Sequence, residues 1–215
     1  AVDDEGVLAD FSSRGPRPGD GAMKPEVTAP GVGIIAARDA GTNLGRDVSD
    51  SYTSMGGTSM AAPHVAGAAA ILAERHPDWT WQQLKAALAA SAAPRSGTPA
   101  SAQGTGLIDV ESALRLPVVP DRATVSFGDL SWTDGPPGPV SRDVTYTNVS
   151  QRAVTLRLSA DVRTPNGVRP DLTVTPSTLR IAPGETAKAT VRLDLAHTEG
   201  ARLGVPVGLA IKTAA

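Results

Sequence analysis

Residues 59–75 carry Val65, Ala69 and Leu72 at helical spacing, with Ala or Gly on most remaining positions and charge at Glu74 and Arg75. A helix apolar on nearly every side predicts a buried central element. Pro63 falls near the first turn, where a missing N–H costs least, and His76-Pro77 closes the far end. Thr80-Trp81-Gln82-Gln83 fits a capping box that opens a second helix running to about residue 90. A third, short helix is expected after Asp109. Residues 6–11 and 32–37 read as strands, so this half is α/β in character.

Beyond residue 116 the period changes to two. Val125/Phe127, Val144/Tyr146, Val154/Leu156/Leu158, Leu172/Val174, Leu179/Ile181, Ala189/Val191/Leu193/Leu195 and Leu203/Val205/Val207/Leu209/Ile211 alternate with other residues. Turn clusters separate them, among them Asp134-Gly135-Pro136-Pro137-Gly138, Pro165-Asn166-Gly167 and Ala182-Pro183-Gly184-Glu185. About seven short strands in roughly a hundred residues predict an all-β sandwich of the fibronectin or immunoglobulin type.

Composition supports two units. Residues 1–115 hold 23 Ala and 7 Val, and residues 116–215 hold 11 Ala and 13 Val, so helix formers give way to β formers. Pro117-Val118-Val119-Pro120 sits at the change and reads as an extended linker. The expected division is residues 1–116 and residues 117–215. A net charge of -2 without a Lys/Arg block gives no electrostatic reason to expect nucleic acid or an anionic membrane. The most apolar run, residues 65–73, is about half the length of a membrane span. The chain lacks Cys, which fits oxidising and reducing compartments alike.

The chemistry is concentrated in Gly56-Gly57-Thr58-Ser59-Met60-Ala61-Ala62-Pro63-His64-Val65-Ala66-Gly67. A serine that opens a buried helix has its own N–H unpaired at the positive end of the helix dipole, where a developing oxyanion is stabilised. Paired glycines before it allow close approach of a substrate backbone. Taken alone, Thr58-Ser59 favours the reading of Ser59 as an ordinary helix N-cap. The eleven residues 57–67, however, resemble the nucleophile motif of the subtilisin-like serine peptidases. Phe11-Ser12-Ser13-Arg14-Gly15-Pro16, Lys24-Pro25-Glu26-Val27-Thr28-Ala29-Pro30-Gly31 and Gly106-Leu107-Ile108-Asp109 follow the same family's order, so the resemblance spans residues 1 to about 115. It implies part of a subtilisin-like catalytic domain, a parallel sheet with helices, ahead of the β domain. It implies that Ser59 is the acylated nucleophile and an oxyanion donor, with Thr58 and Gly57 at the oxyanion and substrate-binding positions, and that the substrate is a polypeptide.

In this family an Asp and then a His precede the serine; the His takes the serine proton and the Asp orients the His. None of the 58 residues before Ser59 is His. His64 lies five residues along the same helix, about 7.5 Å on and 140° round, out of reach of the hydroxyl. The family motif makes it a structural, packed and hydrogen-bonded residue. His76 is about 25 Å along the helix, and His197 falls in the β half. The family's upstream oxyanion Asn is also missing. The expectation is therefore a C-terminal part of a longer, secreted peptidase. Its partner is an upstream catalytic segment carrying Asp and His, and residues 1–215 alone lack proteolysis. A helix built for several neighbouring layers then exposes apolar surface, so the isolated chain is expected to aggregate, to pair, or to need that segment.

Other features change less. Asp3-Asp4-Glu5 reads as a solvated charge run, and no spacing matches a zinc or calcium loop. No metal or cofactor is expected from the residues; calcium dependence is common in the family, but no ligand set can be assigned. Asn148-Val149-Ser150 fits a glycosylation acceptor. Trp79 and Trp81 read as packing anchors. Met60, beside Ser59, is a site where oxidation would slow an assembled enzyme. The competing reading is a non-catalytic scaffold or adhesion protein that keeps the helix motif for packing and binds through its β domain.

Overall fold

The computed structural model describes residues 1–127, 130, 137–160, 170–196 and 198. The chain opens in loops joined by single β-bridges: Val2 pairs with Leu8 and Pro30, Thr28 with Leu107, and Ala93 with Leu107. The bridges Val2–Pro30 and Thr28–Leu107 are parallel. The stretch 6–11, expected as a strand, pairs only at Leu8, because the Asp3 carboxylate accepts from the Glu5 and Val7 N–H groups and turns the backbone there. Strands β1 (Ile34–Ala37), β2 (Arg46–Ser49) and β3 (Tyr52–Met55) then form an antiparallel sheet of order β1-β3-β2.

Four helices follow: α1 (Thr58–Arg75), α2 (Trp81–Ser91), α3 (Ala100–Gln103) and α4 (Val110–Leu114). Thr80 caps α2 in the capping box read from the sequence: its hydroxyl accepts from the Gln83 N–H, and the Gln83 side chain accepts from the Thr80 N–H. Asp109 caps α4 by accepting from the Ser112 N–H at 2.9 Å. Those hydrogen bonds hold its carboxyl below the usual range.

Helix α1 is not the fully buried element that its composition suggested. Only Ala61, Ala68 and Leu72 are buried, and Ile71 is 48% exposed. Leu72, Ala68, Ala86, Ala87, Leu88, Ala113 and Val119 form one cluster, with Val65 and Trp79 against it. That cluster covers one side of α1, and a helix of Ala and Gly carries no pattern that tells its covered side from its open ones.

The second half contains β4 (Val118–Pro120), β5 (Val140–Asn148), β6 (Val154–Arg157), β7 (Asp171–Thr175), β8 (Thr178–Ile181) and β9 (Thr186–Asp194). Every pairing among them is antiparallel, in a four-stranded sheet of order β4-β5-β9-β7 and a β6-β8 pair. Val118, Val144, Tyr146 and Val191 from the larger sheet bury against Leu156, Leu179 and Ile181 from the smaller. Period-two patterning therefore located β5 to β9. Val125 and Phe127 pack on this core without forming a strand. Of the stretch 117–120, expected as a linker, residues Val118–Pro120 are instead strand β4. It lies at the sheet edge, where prolines without N–H groups are tolerated. The strand read over 203–211, His197 and the turn at 165–167 lie outside the described residues.

Candidate active site

Helix α1 begins where two glycines meet. The Gly57 N–H donates to the Gly31 carbonyl at 2.7 Å, and the Gly57 carbonyl accepts from the N–H groups of Met60 (3.1 Å) and Ala61 (3.3 Å). Gly57 is thus the N-cap, in extended backbone, and its missing side chain leaves the helix end without a side-chain cap. Thr58 and Ser59 are the first two helical residues. Among the described residues their N–H groups have no backbone acceptor. Eighteen residues of aligned peptide dipoles end here, and the first turn holds no acidic residue to offset them. Ser59 and Thr58 are exposed and Gly57 is half-buried. The sequence placed Ser59 first in the helix; it stands second, where among the described residues the N–H still has no backbone acceptor.

Pro63 lies within α1 four residues after Ser59, and so removes the N–H that would bond the Ser59 carbonyl. His64 is exposed rather than packed, and its Nδ1 donates to the Met60 carbonyl at 2.8 Å. Expected as hydrogen-bonded and packed, it is only the former, because its side of α1 has no described element against it. Its ring is spent one turn back along its own helix. His76 caps the far end of α1, donating its N–H to the Leu72 carbonyl, and stacks on Trp79 with ring centroids 3.9 Å apart. Burial and then the charge of Arg75 hold its pKa below the ordinary value. Neither described histidine is brought to Ser59. Trp79 anchors the helix cluster as expected, whereas Trp81, on the outer side of α2, is 69% exposed.

Alongside the start of α1 lies an open cleft of about 320 Å³ lined by Ser12, Arg14, Lys24, Thr28, Thr58 and Val65, among others. Behind it Glu26 bridges Lys24 (2.9 Å) and Lys85 (2.8 Å). Burial works against the Glu26 charge, but the two lysines outweigh it and keep the carboxyl below its usual range. No group of three or more His, Cys, Asp or Glu among the described residues could hold a metal ion. Asn148 is not an accessible acceptor. It is fully buried, donates to the Arg152 and Ile181 carbonyls, and accepts from the Ser150 N–H and hydroxyl. The triplet that suggested glycosylation is a turn closed around its own asparagine. The residue that sequence reasoning missed is Gly31. Its signal was present as the last position of the segment 24–31, but nothing in the sequence says that it meets Gly57.

The chain is similar in sequence to known proteins. Residues 1–106 match the model of the subtilase family, Peptidase_S8. Subtilisin-like protease SBT4.14 of Arabidopsis thaliana is 42% identical over 137 residues, which cover 60% of this chain and 18% of that protein. Minor extracellular protease Vpr of Bacillus subtilis (strain 168) is 34% identical over 136 residues, covering 60% of this chain and 16% of the relative. The chain therefore spans less than a fifth of the length of either. The crystal structure of MycP1 from Mycobacterium smegmatis aligns with a TM-score of 0.45 at 26% identity, over 60% of this chain and 33% of that one. Residues 1–106 are thus similar to the subtilase family, the subtilisin-like serine peptidases.

Proposed function

We propose that Ser59 is the nucleophile of a serine endopeptidase. Its hydroxyl adds to a peptide carbonyl, its proton passes to a histidine, and loss of the amine leaves an acyl-enzyme that water hydrolyses. The observation that carries the reading is the free N–H of Ser59 at the start of an eighteen-residue helix, inside the subtilase-matched segment. A donor fixed there meets the oxyanion at no reorganisation cost. Thr58 flanks this hole, and Gly57 leaves room for the substrate backbone.

The general base and its orienting carboxylate come, in this reading, from an Asp and a His on a segment outside the 215 residues. No described histidine can serve, since His64 is tied to the Met60 carbonyl and His76 stands at the other end of α1. Residues 1–215 alone are then inactive. The substrate is a polypeptide, and the enzyme works outside the cell, in keeping with the family and with the printed name of the Bacillus relative. Among the described residues no helix is long and apolar enough to cross a membrane. Residues 117–215 are read as a fibronectin- or immunoglobulin-like sandwich packed on a catalytic portion that ends near residue 116. Two antiparallel sheets around one core support that reading.

The test is hydrolysis of a denatured polypeptide by the complete reading frame and by its Ser59→Ala variant. Turnover that the substitution abolishes supports the proposal. Turnover that survives it, or a complete frame without activity, returns the chain to a scaffold or adhesion role.

A further inference from the structure

We infer that Gly31 is a positioning residue for Ser59, an inference that rests on the reading of Ser59 as nucleophile. Gly31 is buried between two backbones: its N–H donates to the Val2 carbonyl at 2.9 Å, and its carbonyl accepts from the Gly57 N–H at 2.7 Å. Gly57 in turn supplies the carbonyl that starts α1. One residue thus links the loop at Val2 to the cap two residues ahead of Ser59.

The link works only without a side chain. A Cβ on Gly31 would stand 2.8 Å from the Gly57 carbonyl oxygen, 2.8 Å from the Ala1 Cβ and 3.0 Å from the Ala61 Cβ. Two of these neighbours, Gly57 and Ala61, belong to the first turn of α1 and its cap. Relief of the clash therefore moves the helix start away from residue 31, and the donors of Thr58 and Ser59 move with it. Gly67 is the contrast: on the same helix, a Cβ there meets nothing within 4 Å. An oxyanion donor is useful only where the charge develops, so a displacement of a few tenths of an ångström acts on turnover before it acts on substrate affinity.

The first measurement is residue-resolved amide exchange on the 215-residue chain. In the wild type the Gly57 N–H is protected while those of Thr58 and Ser59 exchange fast. Gly31→Ala releases Gly57, and Gly67→Ala leaves it protected. Should Gly31→Ala not fold, Gly31→Ala with Ala61→Gly removes one of the three clashes and keeps the one against the Gly57 oxygen. The second measurement, in the complete reading frame, is the rate of Ser59 labelling by a fluorophosphonate together with kcat and KM. Gly31→Ala lowers labelling and kcat by roughly tenfold to a hundredfold with little change in KM. Unchanged exchange at Gly57, or a labelling rate per folded molecule equal to wild type, overturns the inference. If wild-type Ser59 never labels in the complete frame, the nucleophile reading fails, and with it the positioning role. The exchange arm then still reports whether the Gly31–Gly57 link exists.

Discussion

Val118 and Val119 are consecutive residues of β4 whose side chains bury in different cores. Val118, 5% exposed, packs with Val144 and Tyr146, whereas Val119, 1% exposed, packs with Leu72, Ala86 and Ala87 of the helical half. Strand alternation sends one valine to each side, and Leu116 and Val149 join Val119 against the helices. The β half is therefore seated on α1 and α2 through shared apolar contacts.

Val119→Ala should cost about 2 kcal/mol, the loss of a fully buried branched side chain. Because the contact joins both halves, the far-ultraviolet helical and β signals should melt together in the wild type. The substitution should lower both. Separate transitions in the wild type, with only the helical one shifted by the substitution, would show that the halves are uncoupled.

Asn148 joins the end of β5 to the 150–152 turn and to β8 through its four side-chain hydrogen bonds. Asn148→Ala removes the donor to the Arg152 and Ile181 carbonyls and the acceptor of the Ser150 N–H, and should cost about 2 kcal/mol by chemical denaturation. Expression in a glycosylating host should yield folded protein whose intact mass carries no glycan at this residue. A glycan there on folded material would contradict the buried geometry.

The Tyr146 hydroxyl is buried and has no hydrogen-bond partner among the described residues. Burial, and then the charge of Asp121, push its pKa from about 10 up to about 12. The raised folded value gives a contribution fully present below pH 10 that is lost as pH rises towards 12. Tyr146→Phe removes both the orphan hydroxyl and this titration. It should stabilise the fold by about 1 kcal/mol at neutral pH and flatten the alkaline fall in melting temperature. An equally steep fall in the variant would assign the alkaline loss to other groups.

Gly57→Ala separates fold from chemistry. Gly57 is in extended backbone, and an added Cβ stands 3.5 Å from Met60 Sδ and 3.7 Å from Ser59 N, ordinary contacts that the fold accepts. The same methyl sits beside the Ser59 N–H proposed as the oxyanion donor. Melting temperature should stay near wild type while peptide hydrolysis by the complete reading frame falls on the order of tenfold to a hundredfold. Full activity would remove Gly57 from the substrate path.

What could be read in advance was local. The Thr80/Gln83 box, the Asp109 cap, the extent of α1 and the strands β5 to β9 are each written in a few consecutive residues, through side-chain caps or a two-residue period. What stayed hidden depends on partners far along the chain. The covered side of α1, the second core reached by Val119, the exposure of His64 and the Gly31–Gly57 bond arise where segments meet that no periodicity relates. For the proposed site, the motif marked Ser59 and its neighbours, while the Gly31 contact that seats them came only with the fold.

The most direct test of the central claim is fluorophosphonate labelling of Ser59, mapped by peptide mass, in the 215-residue chain and in the complete reading frame. An unactivated serine is inert to this probe. No adduct on the chain and a fast, stoichiometric one on Ser59 in the complete frame is the predicted result. A fast adduct on the chain alone would mean that a group within these residues activates Ser59, and no adduct in either would mean that Ser59 is not a nucleophile.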